Sequence, residues 1–148
     1  MLFFFYGTLM DGSDNPVARA LHRLIRPLGP ATAAGSLHAI PDEKGWFPAL
    51  LPGSGPVHGA LYAARDHFGP DDLARIDAYE DFWPDNPERS LYIRATIPVQ
   101  HGEDRVSAEA YLFHQPLPAG SLAIVGGSFR DWLREKGAAA FSGLRDAT

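Results

Sequence analysis

The first stretch of the chain that could do chemistry is a glycine turn close to the N-terminus. Residues Phe3–Leu9 form a bulky apolar run that is interrupted by Gly7, a pattern typical of a buried strand that leads into a tight turn. Because Gly7 has no Cβ, the backbone N–H groups that follow it can converge on one point, and a ligand can approach them closely. Such a point suits an oxyanion or a carboxylate. The alternative is a first core strand followed by an ordinary turn.

A second feature is the carboxylate of Glu80, which could transfer a proton. Glu80 ends a predicted helix that starts at Gly69–Asp72. Aromatic neighbours that exclude water, together with the negative end of the helix dipole, would raise the pKa of this carboxyl group towards neutrality. Those neighbours are Tyr79, Phe82 and Trp83. The alternative is an exposed carboxylate at a helix end, with no chemical role.

A third group of polar residues lies on two predicted antiparallel strands, Leu91–Val99 and Val106–Phe113. Their alternation places four side chains on matching faces: Tyr92, Arg94, Glu109 and Tyr111. Pairing of Arg94 with Glu109 across the strands is the first interpretation. The alternatives for Arg94 are to hold a substrate carboxylate or to orient Glu80. Tyr92 and Tyr111 are candidates for the lining of a cavity.

The remaining helices and strands are needed to position these groups. The sequence predicts a first helix that begins at Pro16 and is ended by Pro27, Gly29 and Pro30, with one apolar face formed by Val17, Leu21, Leu24 and Ile25. It predicts strands over Gly35–Ile40 and His58–Ala63, with a long loop over 41–56 between them. A last helix is predicted over Phe129–Lys136, capped by Gly126-Gly127-Ser128. In the loop, Phe47-Pro48-Ala49 either closes one wall of a site or packs over the core. We therefore expect a single α+β domain over residues 1–148, mostly antiparallel, with helices packed on one side of a sheet or small barrel.

The composition of the chain excludes several classes of function. A length of 148 residues suits one domain, and a net charge of −5 gives no reason to expect nucleic acid or an acidic membrane as a partner. The chain has no cysteine, and its six histidines follow no metal-binding pattern. We therefore expect no metal site. The apolar start lacks a basic segment and is interrupted at Gly7, so we expect a cytoplasmic protein.

The order and spacing of several motifs resemble one protein family. Tyr6–Leu9, His58–Tyr62 and Ile76–Glu80, followed by Tyr92-Ile93-Arg94, are similar to segments of the γ-glutamylcyclotransferase-like superfamily, and most similar to its AIG2-like and γ-glutamylamine cyclotransferase branch. The resemblance extends from Leu2 to about Tyr111 and, more loosely, over the segment 127–134.

The resemblance implies a small barrel-like α+β fold with a cavity whose floor is the turn Tyr6–Leu9. In the family the turn N–H groups hold a γ-glutamyl moiety, and the acid at the position of Glu80 is the catalytic acid/base. The substrate's own α-amine attacks its γ-carbonyl and releases 5-oxoproline together with an amine or an amino acid, with no metal or cofactor. This chain departs from the family in the segment Asp81–Trp83, where many relatives have a glycine. The resemblance therefore predicts the mechanism more firmly than the identity of the substrate.

The candidate residues fit the chemistry that this reaction needs. Internal aminolysis of an amide requires a neutral amine, donors for the developing oxyanion and a proton for the leaving nitrogen. The N–H groups of Gly7, Thr8 and Leu9 could be the donors, and Glu80 could move the proton. The alternative function is a non-catalytic small-metabolite binding module built on the same cavity. The identity of the leaving group and the oligomeric state stay open.

Overall fold

The structure is a computed structural model that describes residues 1–141. Its elements are β1 (Leu2–Phe5), α1 (Pro16–Leu21), β2 (Ile25–Asp42), β3 (Gly45–Ala64), α2 (Pro70–Tyr79), a short 3₁₀ helix (Pro87–Arg89), β4 (Tyr92–His101), β5 (Asp104–Phe113), β6 (Leu122–Ala123) and α3 (Phe129–Lys136). The strand order in the sheet is β3-β1-β5-β4-β2-β6, and β3 also pairs with β2. Five strands therefore form a closed, barrel-like ring, with β6 added outside β2. The expected α+β, mostly antiparallel class is confirmed; the one parallel contact among the described strands joins Phe3 of β1 to Glu109 of β5.

The helices begin where the sequence places capping residues. Asn15 caps α1 through a hydrogen bond from the Ala18 N–H to its Oδ1 (2.7 Å), and Pro16 occupies the first turn. At α2, the Gly69 N–H donates to the carboxylate of Asp72 (2.9 Å), which satisfies a donor that the helix cannot use itself. Ser128 caps α3, as predicted.

The predicted loop over 41–56 is wrong, because most of this segment belongs to a long hairpin. Strands β2 and β3 pair continuously from Ile25 opposite Ala64 to Asp42 opposite Gly45, with two register shifts. Proline and glycine predict loops because proline lacks an N–H and glycine is flexible, but a proline removes only one donor from a strand. Pairing along almost the whole length of the hairpin compensates for that loss.

The first helix is shorter than predicted for a related reason. It ends at Leu21, and Ile25, expected on its buried face, begins β2 and is fully buried there. The segment Pro27–Pro30, expected only to end the helix, also pairs with β3. Tertiary pairing has here overridden the local periodicity.

Two buried clusters occupy opposite faces of the sheet. Alternate residues of β1 point to opposite faces: Phe3 belongs to the cluster that includes Leu21 of α1 and Ile76 of α2, whereas Phe4 belongs to the cluster that includes Trp132 of α3. The expectation that all helices pack on one side is therefore wrong. The chain from Phe5 into the turn leaves the sheet next to the end of α2.

Candidate active site

All the predicted site residues except Arg94 line one cavity, which we call the turn cavity. It is lined by Phe4, Phe5, Tyr6, Gly7, Thr8, Leu9, Phe47, Pro48, Glu80, Tyr92 and Tyr111. The space within it that a water molecule can enter measures about 20 Å³, room for about one ordered water. Its whole volume, open solvent included, is about 340 Å³. A ligand larger than water would therefore extend into the part that is open to solvent.

The turn that forms the floor is fixed from outside by two side chains. Asn15, only 2 % exposed, donates from Nδ2 to the Thr8 carbonyl (2.7 Å). His22 lies 2.7 Å through Nε2 from the Leu9 carbonyl, and because a carbonyl only accepts, the imidazole donates from this nitrogen. Asn15 thus caps α1 and holds the turn at the same time, a double role that the sequence analysis missed.

These contacts set the direction of the turn N–H groups. The carbonyl of Gly7 accepts from the Met10 N–H (3.1 Å), and that of Thr8 accepts from Asn15. In a trans peptide the C=O and N–H point in opposite directions. The N–H of Thr8 therefore points away from Met10, and the N–H of Leu9 points away from Asn15.

Gly7 allows the opposite wall to come close. A Cβ at this position would lie 2.2 Å from Cγ of Pro48 and 2.8 Å from its Cδ, both far inside normal contact. The segment Phe47–Ala49, predicted as a loop wall or a packed loop, is part of β3, and its Phe47 and Pro48 line the cavity. The turn and β3 can approach this closely only because residue 7 has no side chain.

The C-terminal end of α2 brings two residues to the cavity. The Tyr79 hydroxyl donates to Oγ1 of Thr8 (2.9 Å), with both side chains buried. Glu80 is the C-cap of the helix; its N–H donates to the Ile76 carbonyl (3.0 Å) and its side chain is only 9 % exposed. Glu80 is therefore a buried cavity residue and not an exposed helix-end carboxylate.

Behind Tyr111 lies a charged network that the sequence analysis found only in part. The predicted pairing of Arg94 with Glu109 is confirmed (Nη1 to Oε1, 2.8 Å). The guanidinium also donates from Nε to Oδ1 of Asp77 (2.9 Å), and the Tyr111 hydroxyl donates to the same oxygen (2.6 Å). Arg94 is not among the residues that line the turn cavity.

Sequence reasoning missed one functional candidate, Asp77. Its burial makes it a candidate, because a carboxylate that is only 6 % exposed needs specific partners. Its signal was the spacing: Asp77 precedes Glu80 by three residues, so the two carboxylates lie on neighbouring positions of the helix surface. Burial raises the pKa of Tyr111 far above its usual value, and the hydrogen bond to Asp77 and the negative charges of Asp77 and Glu80 add to this effect. The phenol therefore keeps its proton.

The other two tyrosines that line the cavity donate from their hydroxyls to backbone carbonyls. The Tyr92 hydroxyl donates to the Pro48 carbonyl (2.6 Å), and the Tyr6 hydroxyl donates to the carbonyl of Tyr111. These bonds join three walls of the cavity to one another.

The segment after Glu80 has an unusual backbone. Asp81 has a φ of 54°, the one positive value at a non-glycine residue among those described, and this region favours glycine. Its side chain accepts from Nε1 of Trp83 (2.6 Å). Asp81 thus has a backbone conformation that a glycine would adopt without strain.

Two further features are absent from residues 1–141. No group of three or more His, Asp or Glu side chains is arranged to hold a metal ion. None of the described helices is long and apolar enough to cross a membrane.

Comparisons with known proteins agree with this architecture. The sequence model of the family described as "Gamma-glutamyl cyclotransferase, AIG2-like" matches residues 3–133. No curated protein matches the chain.

Among solved structures, an AIG2-like protein from Mus musculus has 22% identity and a TM-score of 0.64 over 99% of this chain and 97% of its own. An uncharacterized protein from Pyrococcus horikoshii has 16% identity and a TM-score of 0.59 over 93% and 96%. The allophanate hydrolase of Kluyveromyces lactis matches 91% of this chain with only 21% of its own length, at 14% identity and a TM-score of 0.67. At such identities the likeness to these three structures shows the fold alone.

Proposed function

This chain belongs to the gamma-glutamyl cyclotransferase, AIG2-like family, and we propose that it releases 5-oxoproline from a γ-glutamyl amine or a γ-glutamyl amino acid. One observation carries the proposal: Glu80 and the turn Tyr6–Leu9 line the same cavity. The reaction needs a proton-transfer group and oxyanion donors within reach of one substrate carbonyl.

The proposed reaction is an internal acyl transfer. The nitrogen of the substrate's α-amine attacks the γ-carbonyl carbon, a five-membered lactam ring closes, and the bond to the leaving nitrogen breaks. Glu80 accepts a proton from the α-ammonium group and passes it to the leaving nitrogen, and the second proton that the attacking nitrogen loses as the ring closes follows the same route, so that the amine leaves as an ammonium ion. The released products are 5-oxoproline and an amine or amino acid.

The turn would stabilise the charge that develops on the γ-carbonyl oxygen. The N–H of Thr8 points away from Met10 and the N–H of Leu9 points away from Asn15, and we assign these two groups, with the N–H of Gly7, as the oxyanion donors. Because the turn is already fixed by Asn15 and His22, these donors need no rearrangement during the reaction. One such donor contributes roughly 3–4 kcal/mol in acyl transfer.

The remaining cavity residues would fold the glutamyl chain. Attack within one molecule is fast when the reacting atoms are held in contact geometry, and the turn and Pro48, which line the same cavity, would confine the chain from two sides. Tyr92 and Tyr111 would contact the substrate. Arg94 would act through Asp77 and Glu109, since these two carboxylates hold its guanidinium.

The proposal is tested by measuring 5-oxoproline release from a panel of γ-glutamyl amines and γ-glutamyl amino acids. We expect Glu80→Gln to lower the rate at least about 100-fold, because it removes the proton-transfer group. Glu135→Gln, on the exposed side of α3, is the matched control and should retain full activity. Thermal unfolding of both variants would establish that each is folded.

Two results would contradict the proposal. If Glu80→Gln retained the wild-type rate, Glu80 would not be the acid/base. If the folded wild-type protein released no 5-oxoproline from any substrate of the panel, the function would be that of a metabolite-binding module, and direct binding of the same panel would then identify the ligand.

A further inference from the structure

Asp77 does not line the turn cavity, but it binds the hydroxyl of Tyr111, which does line it, and so sets the orientation of that hydroxyl. Its Oδ1 accepts two hydrogen bonds, from the Tyr111 hydroxyl (2.6 Å) and from Nε of Arg94 (2.9 Å). The side chain of Asp77 is 8 % exposed, and that of Arg94 is 20 % exposed. The carboxylate is thus buried behind the tyrosine and is held there by the guanidinium.

The chemistry of the partners fixes the direction of the Tyr111 hydroxyl. A phenol has one proton and can also accept hydrogen bonds through its oxygen, whereas a carboxylate only accepts. The proton of Tyr111 is therefore directed at Asp77, away from the cavity. Towards the cavity, Tyr111 can offer only its oxygen lone pairs.

We propose that Asp77 is a positioning residue that fixes Tyr111 as a hydrogen-bond acceptor for the α-amine of the substrate. The inference rests on the proposed function, and it assigns the contact that holds the free α-amino group which that reaction requires. Arg94 supports this role indirectly, because its guanidinium holds Asp77 in place. Glu109 in turn accepts a hydrogen bond from Arg94 (2.8 Å).

The direction of this hydrogen bond matters for the attacking nitrogen. A neutral amine has N–H donors and a single lone pair, and the lone pair must point at the γ-carbonyl carbon. An acceptor at Tyr111 binds an N–H and leaves the lone pair available for attack. A Tyr111 hydroxyl that turned its proton into the cavity would donate to that lone pair and compete with the reaction.

The electrostatics of the site favour the same ligand group. Asp77 and Glu109 pair with Arg94, and the charge of Glu80 also acts on Tyr111, so three carboxylates and one guanidinium surround the phenol among the described residues. Burial and the neighbouring carboxylates raise the pKa of Tyr111, so the phenol stays neutral and keeps its proton. An ammonium or amine is therefore favoured over an acidic or acylated group at this position.

Three single variants and one double variant test the inference. Asp77→Leu removes the acceptor and frees the Tyr111 hydroxyl to turn into the cavity, while Asp77→Asn keeps an acceptor oxygen of similar size. Tyr111→Phe removes the hydroxyl itself, and Asp77→Leu/Tyr111→Phe closes a double-mutant cycle. Thermal unfolding of each variant establishes that it is folded.

Two readouts are compared for every variant. The first is the separate measurement of kcat and KM for 5-oxoproline release. The second is calorimetric binding of a γ-glutamyl amine against its glutaryl analogue, which has the same chain but no α-amino group. The binding measurement does not depend on turnover.

The expected result is a specific pattern. Asp77→Leu should lower kcat more than it changes KM and should reduce the preference for the amine-bearing ligand about ten-fold, the range of one hydrogen bond to a charged group. Asp77→Asn should restore most of both properties. In the Tyr111→Phe background, Asp77→Leu should have no further effect on the preference.

The inference is overturned if Asp77→Leu, folded, keeps the wild-type preference, or if the loss of preference is the same with and without the Tyr111 hydroxyl. Failure of the proposed function gives a different result: the wild-type protein would release no 5-oxoproline, while the Asp77-dependent preference for the amine-bearing ligand would persist in the binding measurement.

Discussion

The turn cavity differs sharply from a second, larger depression on the molecule, which we call the groove. The groove is lined by Gly35, Ser36, Leu37, Ser54, Gly55, Pro56, Val57, Ala123, Ile124, Val125 and Gly127, and its space is about 670 Å³ including open solvent, against about 340 Å³ for the turn cavity on the same measure. None of the residues that line the groove is ionisable. The smaller site contains the carboxylate, the phenols and the glycine turn, so side-chain chemistry, and not volume, distinguishes the candidate active site.

The two sites are also built differently. The turn cavity lies where the first turn, β3, the end of α2, β4 and β5 meet, and its polar groups are bonded to a further layer of polar groups behind them. The groove lies between the glycine-rich part of the β2–β3 hairpin and the segment before α3. Ser36, which lines the groove, contacts Nε2 of His38 through its Oγ (3.0 Å), a contact between two side chains of the same strand.

The largest expected effect comes from breaking the layer behind the turn cavity at Arg94. Arg94→Met should lower the free energy of unfolding by about 3 kcal/mol, because it leaves the buried carboxylate of Asp77 without its cation. Chemical denaturation measures this change. The matched variant Arg19→Met removes an exposed ion pair with Asp14; the side chain of Arg19 is 57% exposed and that of Asp14 is 99% exposed. This variant should change the free energy of unfolding by no more than about 0.5 kcal/mol.

Equal, small effects of Arg94→Met and Arg19→Met would contradict this account. The network behind the cavity would then contribute no more than a surface ion pair, and its role as a support for Tyr111 would have to be abandoned.

The parts of the site that could be predicted from the sequence are those with a local signal. A glycine after an apolar run predicts the turn at Gly7, and the caps at Gly69 and Ser128 predict the starts of α2 and α3. The alternation of β4 and β5 predicts that Arg94 faces Glu109. Each of these depends on residues close together in the chain or on one pair of adjacent strands.

The parts that were missed depend on contacts between distant segments. The β2–β3 hairpin joins residues whose prolines and glycines locally favour loops, and only pairing along the whole hairpin outweighs that preference. Asp77 becomes a buried acceptor because Arg94 and Tyr111 come to it from two other elements. Residue spacing within α2 places Asp77 beside Glu80 but cannot show what covers it.

A smaller effect is expected from a methyl group added at the floor of the turn cavity. Gly7→Ala places a Cβ 2.2 Å from Pro48, so the turn and β3 must separate, at an expected cost of about 1–3 kcal/mol in unfolding free energy. The displaced N–H donors should also lower the rate of 5-oxoproline release. The control is Gly126→Ala near the groove, where a Cβ meets nothing within 4 Å. Denaturation and activity of this control should match the wild type, and a rate for Gly7→Ala equal to that of Gly126→Ala would show that the close approach at Pro48 is not needed for the reaction.

The smallest effect is expected in the groove itself, at Ser36. Ser36→Ala removes the hydroxyl next to His38 and should change the free energy of unfolding by about 1 kcal/mol or less, the range of one partly exposed hydrogen bond. The rate of 5-oxoproline release should stay at the wild-type value, since nothing in the proposed reaction uses this face. A clear loss of rate in the folded variant would place part of the chemistry in the groove. The absence of ionisable lining residues would then no longer distinguish the groove from the active site, because Ser36 and His38 would support catalysis there.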